Sequence, residues 1–168
     1  MKISEAITAS GITPSASYAG IEMNDDYILA IQTESTQAKV ADWIVCADHI
    51  KGYPAALNPK TTDSTYIRTG TATAKSGTQR TFSIEGERVV GDAFQDFALS
   101  HKILYGTGQD VIVPYVYFSI RTGKGEKGLA ALIVNEDGSG NAGEPCGVKI
   151  DLKATETPAE YDYLKETA

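Results

Sequence analysis

The sequence predicts a mainly β domain, a β-sandwich or half-barrel of about eight strands with one flanking α-helix. Three observations carry this. Apolar and polar residues alternate with period two in several segments, as where Val148, Ile150 and Leu152 interleave with Lys149, Asp151 and Lys153. Threonine and other β-branched residues crowd those segments, as a pleated surface favours. A single stretch, 92–105, repeats its apolar residues at helical spacing instead.

In chain order, residues 1–16 are small and polar, contain Gly11 and Pro14, and read as an N-terminal arm. The first ten residues hold one lysine and no apolar run, so no signal peptide is expected. Strands are expected at 18–23, 27–33 and 39–47, with Asn24, Asp25 and Asp26 turning between the first two. Residues 65–73 place Thr65, Ile67, Thr69, Thr71 and Thr73 on alternate positions and read as a strand. Residues 80–86 set Phe82 and Ile84 against Thr81, Ser83 and Glu85 as another, with Lys75, Ser76, Gly77 and Thr78 as the hairpin loop between them.

The helix is expected over 92–105. Asp92 can cap it, Gln95 stands where a capping box wants it, and Gly106 closes it. Phe94, Phe97, Ala98, His101 and Leu104 form its apolar face, so Phe94, Phe97 and Leu104 should pack on a sheet, with His101 a packed or interface residue. Residues 111–121 are apolar on both faces through Tyr115, Val116, Tyr117 and Phe118, which marks a central strand or one covered by another copy. Pro114 removes a ladder donor there and points to a bulge or an edge. A turn at 123–126 leads to a strand at 128–135, again apolar on both faces, and 147–154 closes the sheet. The domain runs over 17–155, and 156–168, with Pro158 and mixed charge, reads as a C-terminal tail with a short helical turn.

Composition excludes several functions. Fifteen basic residues face 22 acidic ones, a net charge of −7, with no basic stripe for phosphate or an anionic membrane. No segment approaches the roughly 20 apolar residues of a membrane-spanning helix. Cys46 and Cys146 make neither a disulfide framework nor a zinc site and read as partly buried thiols. Two glycine patterns, Gly123/Gly125/Gly128 and Gly138/Gly140/Gly143, match a dinucleotide fingerprint in spacing, but each leads into a strand rather than a helix. Asn135, Asp137, Ser139 and Asn141 resemble a calcium loop, yet the twelfth position is Cys146, where a glutamate is needed. His49 lacks a third partner for metal or catalysis, and no nucleophile stands in an elbow context. The sequence thus indicates no enzyme, no catalytic residue, no metal and no cofactor. One unusual segment is 52–60, in which Tyr53, Pro54, Leu57, Asn58 and Pro59 make a stiff, apolar loop suited to docking.

The order of these elements resembles the major tail tube protein of long-tailed bacteriophages, a superfamily that includes the type VI secretion tube. The resemblance covers about 17–155 as a layout. It is carried by Thr65-Tyr-Ile-Arg-Thr-Gly-Thr-Ala-Thr, Arg80-Thr-Phe-Ser-Ile-Glu-Gly-Glu-Arg, Asp92-Ala-Phe-Gln-Asp-Phe, Val113-Pro-Tyr-Val-Tyr-Phe-Ser-Ile and the closing strand from Gly147. It implies a structural virion protein of hexameric rings stacked into a tube, a conduit for the genome, made in a host cytoplasm and located in the virion tail. It also implies tape measure, terminator and distal tail proteins as partners and transient, non-specific DNA passage. Six copies at −7 each bring −42 formal charges, which would repel sliding DNA where they face a lumen. Under this reading Tyr53, Pro54, Leu57, Asn58 and Pro59 stack rings along the axis. The alternative from the residues alone is a β-sandwich module binding carbohydrate or peptide through Trp43 and the tyrosines.

Overall fold

The structure, a computed structural model, describes residues 1–166. In chain order its elements are α1 (Ile3–Ser10), β1 (Tyr27–Ile31), β2 (Ile44–Val45), β3 (Ile50–Gly52), β4 (Ala55–Ala56), β5 (Lys60–Tyr66), β6 (Gly70–Gly77) and β7 (Thr81–Glu87). These are followed by α2 (Ala93–Ala98), α3 (His101–Tyr105), β8 (Ile112–Ser119), β9 (Lys124–Ser139), β10 (Gly147–Ala154), β11 (Ala159–Asp162) and α4 (Tyr163–Glu166). Nine strands form one curled antiparallel sheet in the order β2-β1-β8-β9-β10-β7-β3, with β11 added to β9 and β4 to β7. Strands β5 and β6 pair only with each other. The mainly β half-barrel expected from the sequence is therefore the fold observed.

Two cores explain the doubly apolar strand. Leu29, Ile31, Tyr115, Leu132, Ile150, Leu152, Phe82 and Ile84 face the concave side, closed by Phe94, Ala98 and Ile103 of the helices. Ile28, Ala30, Val116 and Phe118 face the other side, under Ile3, Trp43, Val45 and Tyr161. Successive residues of β1 and β8 thus enter different cores, as the pleat requires. Strand β8 is central, between β1 and β9. Pro114 makes no bulge in it, and it stands just past the end of the β1 ladder, which stops at Tyr115. The Pro114 carbonyl accepts from Gln32 N at 3.0 Å, so its missing N–H faces the Gln32 carbonyl, and the ladder loses that one bond just past Ile31, where β1 ends.

Gly125 of β9 faces Phe118 across β8 and Tyr161 across β11. A Cβ at Gly125 would lie 2.0 Å from the Tyr117 carbonyl oxygen, so only glycine admits this approach of the two strands.

Other expectations are corrected. No strand forms over 18–23; the segment folds around Arg121, whose guanidinium lies 5.3 Å over the Tyr18 ring, and leaves Ile21 exposed. The expected strand at 39–47 shrinks to β2, because Val40–Asp42 is a 3-10 turn and Trp43 Nε1 is drawn to the Gln37 carbonyl at 3.1 Å. Residues 65–73 are the bend of a hairpin: Tyr66 pairs with Gly70, whose φ of 76° suits glycine, and the expected loop at Lys75–Gly77 is strand β6. The polar N-terminal stretch forms α1, with Ile3 wholly buried, and Lys2 bridges to Ile44. The expected tail supplies β11 and α4, with Thr167 and Ala168 outside the described residues.

The single helix expected over 92–105 is two, α2 and α3. Ser100 takes extended backbone (φ −66°, ψ 148°) and restarts the helical phase. Ile103 therefore turns inward, while Leu104 is half-buried and His101 is exposed against Tyr105. Asp92 caps α2 as expected, accepting from Gln95 N at 2.9 Å. The Gln95 side chain does not complete a capping box. It is fully buried and bonds Val89 N, Asp48 O and Glu87 O instead, pinning the helix to the sheet's end. The sequence pattern expects Phe94 and Phe97 to pack alike; both meet the concave core, but Phe97 is half-buried and Phe94 is fully buried. Phe94→Ala is expected to cost about 3–5 kcal/mol in denaturant melts, and Phe97→Ala clearly less.

Asp26 is a buried carboxylate that takes Arg121 Nε at 2.7 Å and Met23 N at 2.8 Å. The Arg121 hydrogen bond, reinforced by that backbone N–H, holds its carboxyl below the ordinary 3.8. A depressed folded-state value gives stability that is present above about pH 4 and lost as the pH falls through the lowered value. Asp26→Asn should flatten that acid limb in melts taken between about pH 5 and pH 2.

Candidate functional site

The most conspicuous surface feature is the β5–β6 hairpin. Every residue from Lys60 to Ser76 is exposed, including Tyr66 at 56% and Ile67 at 104%. With seven or eight residues per strand, the arm reaches roughly 20–25 Å from the sheet. Polar pairs hold it together: Thr73 Oγ1 donates to Asp63 at 2.7 Å, and the Thr65 and Thr71 hydroxyls lie 3.2 Å apart. A lone two-stranded ribbon is marginal in water, so this one would gain stability from any surface that covered it.

Its base is built firmly. Asn58, in the left-handed region at φ 43°, donates from Nδ2 to Gln79 O and Thr81 Oγ1. Gln79 N reaches Leu57 O at 2.9 Å, and Gln79 Nε2 reaches Ala154 O at 3.2 Å. Arg80 then forms a two-pronged pair with Glu126, Nε to Oε1 at 2.6 Å and Nη2 to Oε2 at 3.0 Å, and Tyr115 Oη donates to the same carboxylate at 3.2 Å. The guanidinium also lies 5.6 Å over both Phe82 and Tyr117. The hydrogen bond to Glu126 pushes Arg80 further up, and burial pushes the Tyr115 hydroxyl up, so both keep their protons across the physiological range. The arm is therefore a free ribbon on a fixed root. Sequence reading missed the Arg80–Glu126 pair, since 46 residues separate the partners and neither stands in a motif.

The residues of the expected stacking loop lie at this root. Tyr53 is packed against the concave core, and its hydroxyl donates to Tyr27 O at 2.8 Å. Ala55 and Ala56, between Pro54 and Leu57, pair with Phe82 and Thr81. Leu57 is half exposed, at 50%, and Asn58 and Pro59 lead into the arm. Of the strand residues, Tyr115, Val116 and Phe118 are fully buried, and Tyr117 is half-buried against Tyr27 and Phe82.

The features weighed for chemistry are dispersed. Among the described residues, no group of three or more His, Cys, Asp or Glu side chains is placed to hold a metal ion. His49 and His101 are both exposed and on separate elements. Cys46 is buried and Cys146 exposed, so only the first fits the expected buried thiol. The first glycine pattern enters β9, and the second runs from Gly138 at the end of β9 into the β9–β10 loop. Trp43 is only 3% exposed, with Lys127 Nζ 5.0 Å over its ring, so it offers no open stacking face to a sugar. No helix among the described residues is long and apolar enough to cross a membrane.

No family model matches the chain, and no curated protein is similar to it. Among solved structures, it is similar in fold to a chain described as the tail of an empty GTA particle, computed with helical refinement and C6 symmetry. That similarity covers 83% of this chain and 98% of the other, with a TM-score of 0.55 and 14% identity.

Proposed function

We infer that this chain is a structural protein of a phage-like tail, forming hexameric rings that stack into a tube through which a genome passes. The observation that carries this is the shared fold, over nearly the whole length of a chain from a six-fold tail, in a domain that also extends an unpartnered ribbon. A sheet with open edges is an association hazard in a monomer, and a ring that pairs those edges turns it to use. The net charge of −7 suits a conduit that must not hold DNA. Leu57 and the root segment Tyr53, Pro54, Asn58 and Pro59 serve the axial contact together with the arm they carry. The protein works in the virion tail after assembly in a bacterial cytoplasm, beside tape measure, terminator and distal tail proteins, with no chemistry of its own.

Negative-stain micrographs of concentrated purified protein test this. Six-fold rings or tubes are expected. A monomer at every concentration, by micrograph and by gel filtration, would overturn it.

A further inference from the structure

The arm and the β9–β10 loop carry opposite charge and leave the sheet at opposite ends. Residues 60–77 hold Lys60, Arg68 and Lys75 against the single acid Asp63, a net +2, which leaves −9 on the rest of a chain of net −7. All three cations are exposed, and among the described residues none has an ion-pair partner. The end of β9 contributes Asp137 and the β9–β10 loop Glu144, both exposed and likewise without a cationic partner, while Glu136 of β9 pairs with Lys149 at 3.3 Å. Strands β7 and β10 are antiparallel, with Thr81 opposite Lys153 and Gly147 opposite Glu87. The arm enters β7 at Thr81 and the loop enters β10 at Gly147, so the two project from opposite ends of this pair.

The acidic end also has a strand edge without a β partner, bordered in part by α3 and the turn at 108–111. Pairing of β8 with β9 stops at Ala131, whereas pairing of β10 with β9 continues to Ser139. Past Ala131, β9 therefore has a strand on one side only, and its other side leads directly to Asp137. Such an edge accepts an added strand through backbone hydrogen bonds, and side-chain charge then selects which strand.

We propose that the β5–β6 arm of one copy lies along the distal edge of β9 in a second copy, with Arg68 and Lys75 against Asp137 and Glu144. This rests on the assembly reading above and names the surface that receives the arm. Giver and receiver lie at opposite ends of each copy, so the contact is head-to-tail. It propagates in one direction instead of closing a two-fold dimer.

The experiment uses two charge-reversed full-length proteins, Arg68→Glu with Lys75→Glu, and Asp137→Lys with Glu144→Lys. All four positions are exposed, and circular dichroism checks that each variant folds. Alone, each sets like charge against like, and its critical concentration for tubes should rise by about tenfold or more. Mixed in equal amounts they should assemble near the wild-type concentration, because every acidic arm then meets a basic loop and every basic arm an acidic one. If either variant assembles alone like the wild type, or if the mixture recovers nothing while the wild type forms tubes, this arm-to-loop contact is wrong and the assembly reading stands. If the wild type itself never assembles, the assembly reading fails. Should a reversed variant misfold, the neutral pair Arg68→Gln and Lys75→Gln replaces it. Raising salt from about 0.05 to 0.5 M should weaken wild-type assembly severalfold and leave the neutral variant nearly unchanged; equal salt sensitivity would overturn the proposal.

Discussion

Phe118→Asp is expected to abolish folding. Phe118 is fully buried, stacks on Tyr163 at 5.5 Å and meets Tyr161 edge-on at 5.5 Å. Its strand lies between β1 and β9, so no route leads a carboxylate at that position to water. Burying an unpaired charge there, together with losing the ring, costs several kcal/mol, comparable with the roughly 5–15 kcal/mol that holds a whole domain. Val116→Asp, at the next position in the same core, should behave alike. Soluble protein of either variant with wild-type circular dichroism and a cooperative melt would refute the second core as a necessity.

Replacing Lys60–Gly77 with a Gly-Ser turn is expected to leave the domain folded and, under the assembly proposed above, to prevent the formation of long tubes. Nothing in the arm is buried, so its loss removes no core residue, and its root at Asn58, Gln79 and Arg80 stays tied to the sheet. Far-UV circular dichroism and melting temperature should change little, apart from the strand content of the arm itself. Micrographs should show at most short stacks or single rings. Tubes of ordinary length from the shortened protein would move the axial contact to the α1 end or to β11 and α4. Shortening only 53–60 is a less clean experiment, since it would remove Tyr53 from the concave core.

Much of this fold was legible in the sequence where period and burial agree. Strand β10 alternates Val148, Ile150 and Leu152 with charges and forms over the residues expected. The double apolarity of 111–121 pointed to a central strand or one covered by another copy, and β8 is central, with a core on each face. Legibility failed where tertiary contacts override local pattern. Thr65 to Thr73 alternate as a strand would, yet Gly70 bends the chain at their middle, because a ribbon with no buried face has no core to enforce its register. The helix face of 92–105 was read through Ser100 as continuous, and the break there exchanged Ile103 for His101. Of the candidate site, the segment 53–59 was visible as stiff and apolar, but its role as a root was not. That role depends on Gln79, Arg80 and Glu126, whose meeting is set by sheet topology and not by spacing.

The free ribbon on its fixed root also sets a timescale. Amide protons on the outer sides of the arm face solvent, and those inside it are guarded by seven paired positions alone, so they should exchange with deuterium early. Amides of β1 and β8, enclosed by a core on each side, open only with the whole domain and should exchange last. The molecule is thus divided into a slow body and a fast limb. The limb can sample many shapes before contact without loosening the body, and its ordering cost falls at the moment of docking. In the tube proposed above, subunit exchange should then be limited by release of the limb rather than by unfolding of the domain.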